Sequence, residues 1–262
     1  GSAWVNEGIL HESEARTNSV TYSGDLADPS DWTGNGLAGA VTAGSPFGTY
    51  QTFSPNGDGS NEVRAPRYQI GKTLTSGATY VGWALVKYSA GSGWFVINMF
   101  DTSKFSERAW FDVQNGVVGS NDPLIVDHGM IDYGDGWWLC WATSISITSS
   151  GGVSVEMPNG DNVVTCSGAD VILIAGTQFE LGSTPSSYIP TSGATVTRAA
   201  ETLTVPAANV PYSSTNVSTQ INGKITYADN NSFNEAVFLL QFVTGNYLKY
   251  GLYTNSSNTG KL

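Results

Sequence analysis

Apolar residues recur at every second position in short runs along this chain, and the runs are bounded by Gly, Asn, Asp, Ser and Pro. A period of two puts alternate side chains on opposite faces of an extended backbone, so each run predicts a half-buried β-strand. The clearest are Thr79–Tyr88, Gly93–Phe100, Arg108–Val113, Gly136–Ile147, Val153–Met157 and Val171–Leu181. Asn115-Gly116 and Asn159-Gly160 predict tight turns, because both residue types tolerate the positive φ that such turns use. No stretch shows the period of a long amphipathic helix. Strands spaced about ten to fifteen residues apart, without helical crossovers, predict an all-β fold, an antiparallel sandwich of two sheets.

Alternation also sorts the faces. Arg108, Trp110 and Asp112 share one side of their strand, and Ala109, Phe111 and Val113 the other. Further on, Trp137, Leu139 and Trp141 oppose Trp138, Cys140 and Ala142. The sides that are small and apolar predict the core. Trp110 with Arg108 and Asp112 is then expected on an outer or concave face, Trp94 and Asn98 alternate likewise on theirs, and Trp137 with Trp141 form a second outward pair.

The strand pattern is interrupted at 206–215, where two prolines and small polar residues read as a linker. Three or four more strands follow, in Val217–Tyr227, Ala236–Val243 and Asn246–Tyr253. So short a tail leaves open edges and half a core, so 216–262 is expected to begin a second β domain whose remainder is missing. Residues 1–20 read as an entry strand or arm. The first residue is Gly rather than Met, which predicts a chain that was cut or that starts inside a longer polypeptide.

Charge narrows the partners. The 262 residues carry 22 acidic and 11 basic side chains, a net charge of −11, which repels phosphate backbones and excludes nucleic acid as a ligand class. No apolar run approaches the ~18–20 residues of a membrane helix, so insertion by a helix is not expected. Cys140 and Cys166 are too few for a disulfide framework; they read as buried thiols, although a bridge between adjacent strands stays open. With His11 and His128 the only histidines, neither a metal-ligand spacing nor a Ser-His or Cys-His pair stands out. No cofactor is called with certainty. The stretch Asn56-Gly57-Asp58-Gly59-Ser60-Asn61-Glu62 is rich in oxygen donors and is a candidate holder of a structural calcium, though it lacks the spacing of an EF-hand loop.

Glycosidase chemistry needs two carboxylates across a cleft, and Asp112, Asp127, Asp132 and Asp135 fall in one neighbourhood. Acids in Asn-, Asp- and Gly-rich loops are, however, ordinary turn formers. Sugar binding is better supplied. Pyranose rings stack their C–H faces on Trp and Tyr while their hydroxyls seek Asn, Asp and Arg, and the chain has eight Trp and twelve Tyr. The candidate carbohydrate-binding residues are therefore Trp94, Asn98, Arg108, Trp110, Asp112, Trp137 and Trp141. The competing account of each ring is that it fills the core or an interface between subunits.

Three segments resemble a module of bacteriophage tail, fibre and other virion proteins. Gly8–Asn18 (GILHESEARTN), leading into Val20-Thr21-Tyr22-Ser23 and Trp32, is similar to its opening. Trp110–Val118 (WFDVQNGVV) and Gly134–Trp138 (GDGWW) are similar to two of its strands. Gln178–Arg198 (QFELGSTPSSYIPTSGATVTR), with Ala199-Ala200-Glu201, closely follows its closing signature. Together they cover 8–205. The resemblance implies a jelly roll related to galactose-binding-like and carbohydrate-binding modules, followed in the tail by a concanavalin- or laminin-G-like segment. It implies a virion protein assembled in the bacterial host, with other virion proteins and host-surface glycan as partners, and an oligomer of this chain such as a trimer. Structural calcium is frequent in such folds. The family pattern carries Arg where this chain has Leu139, which puts that arginine's polar contact in doubt. Jelly rolls bring first and last strands together, so Arg16 and Arg198 are expected to close the fold on a carboxylate such as Glu14, Glu180 or Glu201. The function expected is a non-enzymatic virion adhesion or structural protein; the alternative is a polysaccharide-degrading enzyme or its binding module.

Overall fold

The computed structural model describes residues 12, 14–55, 67–101, 104–202, 238–243 and 246–250, with backbone alone for 104–106 and for the last two stretches. The calcium-like stretch 56–62, the opening 1–11 with His11, and the linker 206–215 lie outside the described residues. The chain divides into two compact units, Gly1–Thr204 and Val205–Leu262. In the second, Phe238–Val243 and Asn246–Tyr250 form an antiparallel hairpin.

The first unit is an all-β antiparallel sandwich. Its larger sheet runs through Ile125–Asp132 (β10), Trp137–Ile145 (β11), Thr79–Ala90 (β6), Val171–Leu181 (β13), Gly48–Pro55 (β4) and Gly36–Ala38 (β2), with Thr42–Ser45 (β3) also paired to β4. The smaller sheet is Arg67–Thr73 (β5), Ser150–Glu156 (β12), Trp94–Asp101 (β7), Lys104–Asp112 (β8) and Val117–Asn121 (β9). The chain passes from β6 in one sheet to β7, β8 and β9 in the other, back to β10 and β11, across to β12 and home to β13. That interleaving makes it a jelly roll.

Between the sheets lies the main core, where Phe95, Ile97, Ala109, Phe111, Val113, Cys140 and Ala142 meet Phe53, Ile172 and Phe179. These are the small and apolar faces picked out by alternation. Cys140 and Cys166 are both buried, and burial pushes the Cys140 thiol well above its ordinary value, so it packs as a small hydrophobe.

A second apolar layer covers the outside of the larger sheet. From Tyr80 to Val86 every residue of β6 is buried, because the strand is apolar on both faces and both are covered. Outward-facing Val81, Trp83, Leu85, Trp137 and Leu139 pack beneath Phe47 and Tyr50 of the β3–β4 hairpin and beneath Tyr188. Phe47 stacks on Tyr188 at 4.5 Å between centroids and meets Trp83 edge-on at 6.0 Å. Gly176 leaves room for the Tyr188 ring, since a Cβ there would stand 2.9 Å from its Cζ.

The two ends of the unit are fastened to each other. Arg16–Asn18 (β1) pairs antiparallel with Val196–Arg198 (β14), which sets Arg16 opposite Arg198. Two like charges in that register repel, and each is met by its own acid: Arg16 by Glu14 at 2.8 Å and Arg198 by Glu12. Glu180 meets neither arginine. Its carboxylate accepts from the Ser186 N–H at 2.9 Å, the Ser186 hydroxyl at 2.7 Å and the Trp83 indole at 3.4 Å. Glu201 accepts the Glu12 N–H at 2.9 Å. The closing signature supplies the rest of the fastening. Ser187 donates to Glu12, the Tyr188 and Ser23 hydroxyls share a hydrogen bond of 2.9 Å, and Thr191 N–H donates to the Ser23 hydroxyl at 2.9 Å.

Burial pushes the Glu12 carboxyl up, but the Ser187 hydrogen bonds and the Arg198 guanidinium outweigh it and hold the group below its ordinary 4.5. A folded pKa below the unfolded one contributes stability that is present above 4.5 and is lost as pH falls through the folded value. Unfolding free energy is therefore expected to decline on acidification through that window. Glu12→Gln is expected to flatten this part of the decline, as read from denaturant midpoints across pH.

Candidate carbohydrate-contact face

Register between β7 and β8 brings five of the predicted residues onto the outer face of the smaller sheet. Trp94 sits opposite Asp112, Val96 opposite Trp110, and Asn98 opposite Arg108. On the other flank of β7, Ser154 faces Asn98 and Glu156 faces Val96. Alternation in Val153–Met157 already set Ser154 and Glu156 apart from the core-facing valines, but Glu156 was not among the residues singled out in the sequence.

Glu156 joins this floor together. Its Oε1 accepts from Asn98 Nδ2 at 2.7 Å and its Oε2 from Arg108 Nε at 2.9 Å. Asn98 Oδ1 in turn accepts the Glu107 N–H at 3.0 Å, and Asp122 accepts the Arg108 N–H at 2.9 Å. Asn98 is 0% exposed, Glu156 2% and Arg108 8%, so the ion pair is held in a low-dielectric setting where each charge depends on its partners.

The tryptophans part company here. Trp110 is 2% exposed and its indole N–H donates to the Val163 carbonyl at 3.2 Å, so the segment after β12 crosses over it. Its alternation places it on the outer face, yet it lies inside the protein. Trp94 stays half-buried with an indole N–H that has no partner among the described residues. Its ring lies over β9: a Cβ on Gly119 would stand 2.7 Å from Trp94 Cζ3 and 2.7 Å from Asp161 Oδ1. Trp137 and Trp141 belong to the outer face of the opposite sheet, Trp137 buried edge-on to Tyr50 at 6.0 Å and Trp141 half-buried. The seven candidates thus fall on two faces rather than one.

The carboxylates considered for hydrolysis are engaged locally. Asp112 accepts the Asn115 N–H at 3.0 Å and the Asn115 side-chain amide at 2.8 Å. Asp127 accepts the His128 N–H at 2.9 Å and Asp132 the Gly134 N–H at 2.7 Å. Asp135 sits at φ 51° in the β10–β11 turn. His128 points inward, its Nε2 3.2 Å from the Gly119 carbonyl. Among the described residues no group of three His, Cys, Asp or Glu side chains is placed to hold a metal ion, and no helix is long and apolar enough to cross a membrane.

Comparison with known proteins gives structural likenesses. No family model and no curated protein matches the chain. The solved structures to which it is similar include the following three. The enzymatically active domain of bacteriophage CBA120 tailspike protein 4 is 15% identical with a TM-score of 0.36, over 63% of this chain and 21% of that one. The CBM22-1–GH10 modules of Clostridium thermocellum xylanase 10B, complexed with xylohexaose, are 13% identical at 0.32, over 69% and 30%. The CBM22-1 xylan-binding domain of Paenibacillus barcinonensis Xyn10C is 11% identical at 0.35, over 68% of this chain and all of that domain. This chain thus spans about a fifth of the tailspike structure and under a third of the xylanase.

Proposed function

We propose that this chain is a non-enzymatic structural and adhesion module of a phage virion that holds glycan against the outer face of its smaller sheet. The observation that carries the glycan part is the half-buried Trp94, whose indole N–H has no partner among the described residues, on the same face as the locked Asn98–Glu156–Arg108 floor. A ring on a rigid strand offers a sugar its π-face without a large ordering cost. The floor keeps β7, β8 and β12 in register beneath it. A non-catalytic role is supported by the acids Asp112, Asp127 and Asp132, whose oxygens serve turn and backbone amides. The virion setting rests on the closing signature in 178–201. Assembly with other virion proteins, and with further copies of the chain, belongs to the same reading.

A glycan array probed with the intact chain tests it. Binding to at least one host-surface polysaccharide is expected, and Trp94→Ala is expected to weaken it by about tenfold or more with an unchanged melting temperature. Binding that survives Trp94→Ala moves the site elsewhere, and release of reducing sugar from a bound polysaccharide replaces the reading with an enzyme.

A further inference from the structure

The indole donors sort the tryptophans. Among the described residues, Trp32, Trp83 and Trp110 give their N–H to Tyr22, Glu180 and Val163. Trp94, Trp137, Trp138 and Trp141 have no such partner. Trp137 is 4% exposed, and Trp138 is roofed by Gly116, where a Cβ would strike its ring. Trp94 and Trp141 are left as half-open rings with a free donor, on opposite sheets.

Trp141 is laid out by its cross-strand neighbour. In the outward row of β10 and β11, Asp127 faces Thr143, Gly129 faces Trp141 and Ile131 faces Leu139. A Cβ on Gly129 would stand 3.1 Å from Trp141 Nε1, Cε2 and Cζ2 alike. Equal distances to three consecutive ring atoms put that position off the indole plane, over its Nε1–Cε2–Cζ2 rim. The ring therefore lies along the sheet surface, as aromatics do over strand glycines, with its other face turned away from the strand. Ile131, diagonal to it on β10, is 46% exposed, while on the β6 side Trp141 faces Trp83 and packs on its buried cluster. Beyond it β10 is the last strand of the larger sheet.

We infer that Trp141, laid flat on Gly129 and edged by Asp127, is a second glycan subsite that takes the C–H face of an uncharged pyranose. The inference rests on the reading of this chain as a glycan-holding module and adds a site on the other sheet. The flat indole face supplies the stacking surface, its N–H donates to a ring or hydroxyl oxygen, and the exposed Asp127 carboxylate accepts from a hydroxyl. Charge selects the sugar. The outward row of β10 and β11 carries Asp127 and no Lys or Arg, with Lys87 of β6 standing four residues along from the position opposite Trp141, on a chain of net charge −11, so uronates, sialic acids and sulfated sugars are repelled and neutral hexoses are not. Two subsites on opposite sheets let one module hold two separate polysaccharide strands, which raises avidity without new contacts.

The test follows the indole N–H signals of the intact chain by NMR, assigned with Trp94→Phe and Trp141→Phe, during titration with cellohexaose, mannohexaose and galactohexaose and with hexagalacturonate as the anionic control. The expected result is a saturable shift of the Trp141 signal with a neutral hexasaccharide and none with hexagalacturonate. That shift persists in Trp94→Ala, and Gly129→Val, which lifts the ring, weakens the interaction by about tenfold. A Trp141 signal that stays still while Trp94 responds overturns the second subsite and leaves the proposed function standing. A Trp141 signal that follows protein concentration instead of sugar overturns it in favour of a contact between copies. A response to hexagalacturonate alone overturns the choice of an uncharged sugar. Silence from both rings, with an empty glycan array, removes the proposed function as well.

Discussion

Glu156→Ala is expected to lower the unfolding free energy of the first unit by about 3–5 kcal/mol. The reason is an asymmetry in buried ion pairs. Glu156 is 2% exposed and both its oxygens are used, one by Asn98 at 2.7 Å and one by Arg108 at 2.9 Å. Truncation removes a negative charge that offsets the desolvation of the Arg108 guanidinium, 8% exposed. Replacing both partners by Met and Leu of similar volume leaves no stranded charge, so the double variant Arg108→Met/Glu156→Leu is expected to be less damaged than Glu156→Ala alone. Urea unfolding of the three proteins checks the order. Equal midpoints for wild type and Glu156→Ala would mean that water reaches this floor.

Trp110→Ala and Trp94→Ala are expected to fail in opposite ways. Trp110 is 2% exposed, and its loss opens a cavity beneath the segment that its N–H anchors at Val163. Removing a buried tryptophan costs about 3–5 kcal/mol, so the melting temperature falls by many degrees, while any glycan affinity of the folded fraction is kept. Trp94 is half-buried with no hydrogen bond from its indole among the described residues, so its removal leaves the melt nearly unchanged and removes the stacking surface. Thermal melts and binding isotherms on the same two variants measure the split. A stable Trp110→Ala that has lost glycan would return that ring to the binding surface.

The difference between these rings marks where sequence reading stops. Alternation placed Arg108, Trp110 and Asp112 on the outer side of β8, and Phe111 toward the core, and both placements hold. Period two reports which face a residue is on, but not what later chain crosses that face, and 163 lies fifty-three residues beyond 110. The same limit hid Glu12 as the acid for Arg198, since 186 residues separate them. Bulges add a second loss: β13 slips register between Ile174 and Gly176, so a strict odd–even count changes face within one strand. The unbroken apolar run in β6 says that both faces of that strand are covered, which predicts the outer layer of Phe47, Tyr50 and Tyr188 and with it the burial of Trp137.

Isothermal titration of the intact chain with an array-positive polysaccharide tests most directly whether this protein holds sugar without altering it. A sandwich whose rings grip glycan and whose carboxylates stay engaged in turns gives heats that saturate and return to the starting baseline after every injection. A baseline that stays displaced while polysaccharide remains, the heat of continuing bond cleavage, would contradict it.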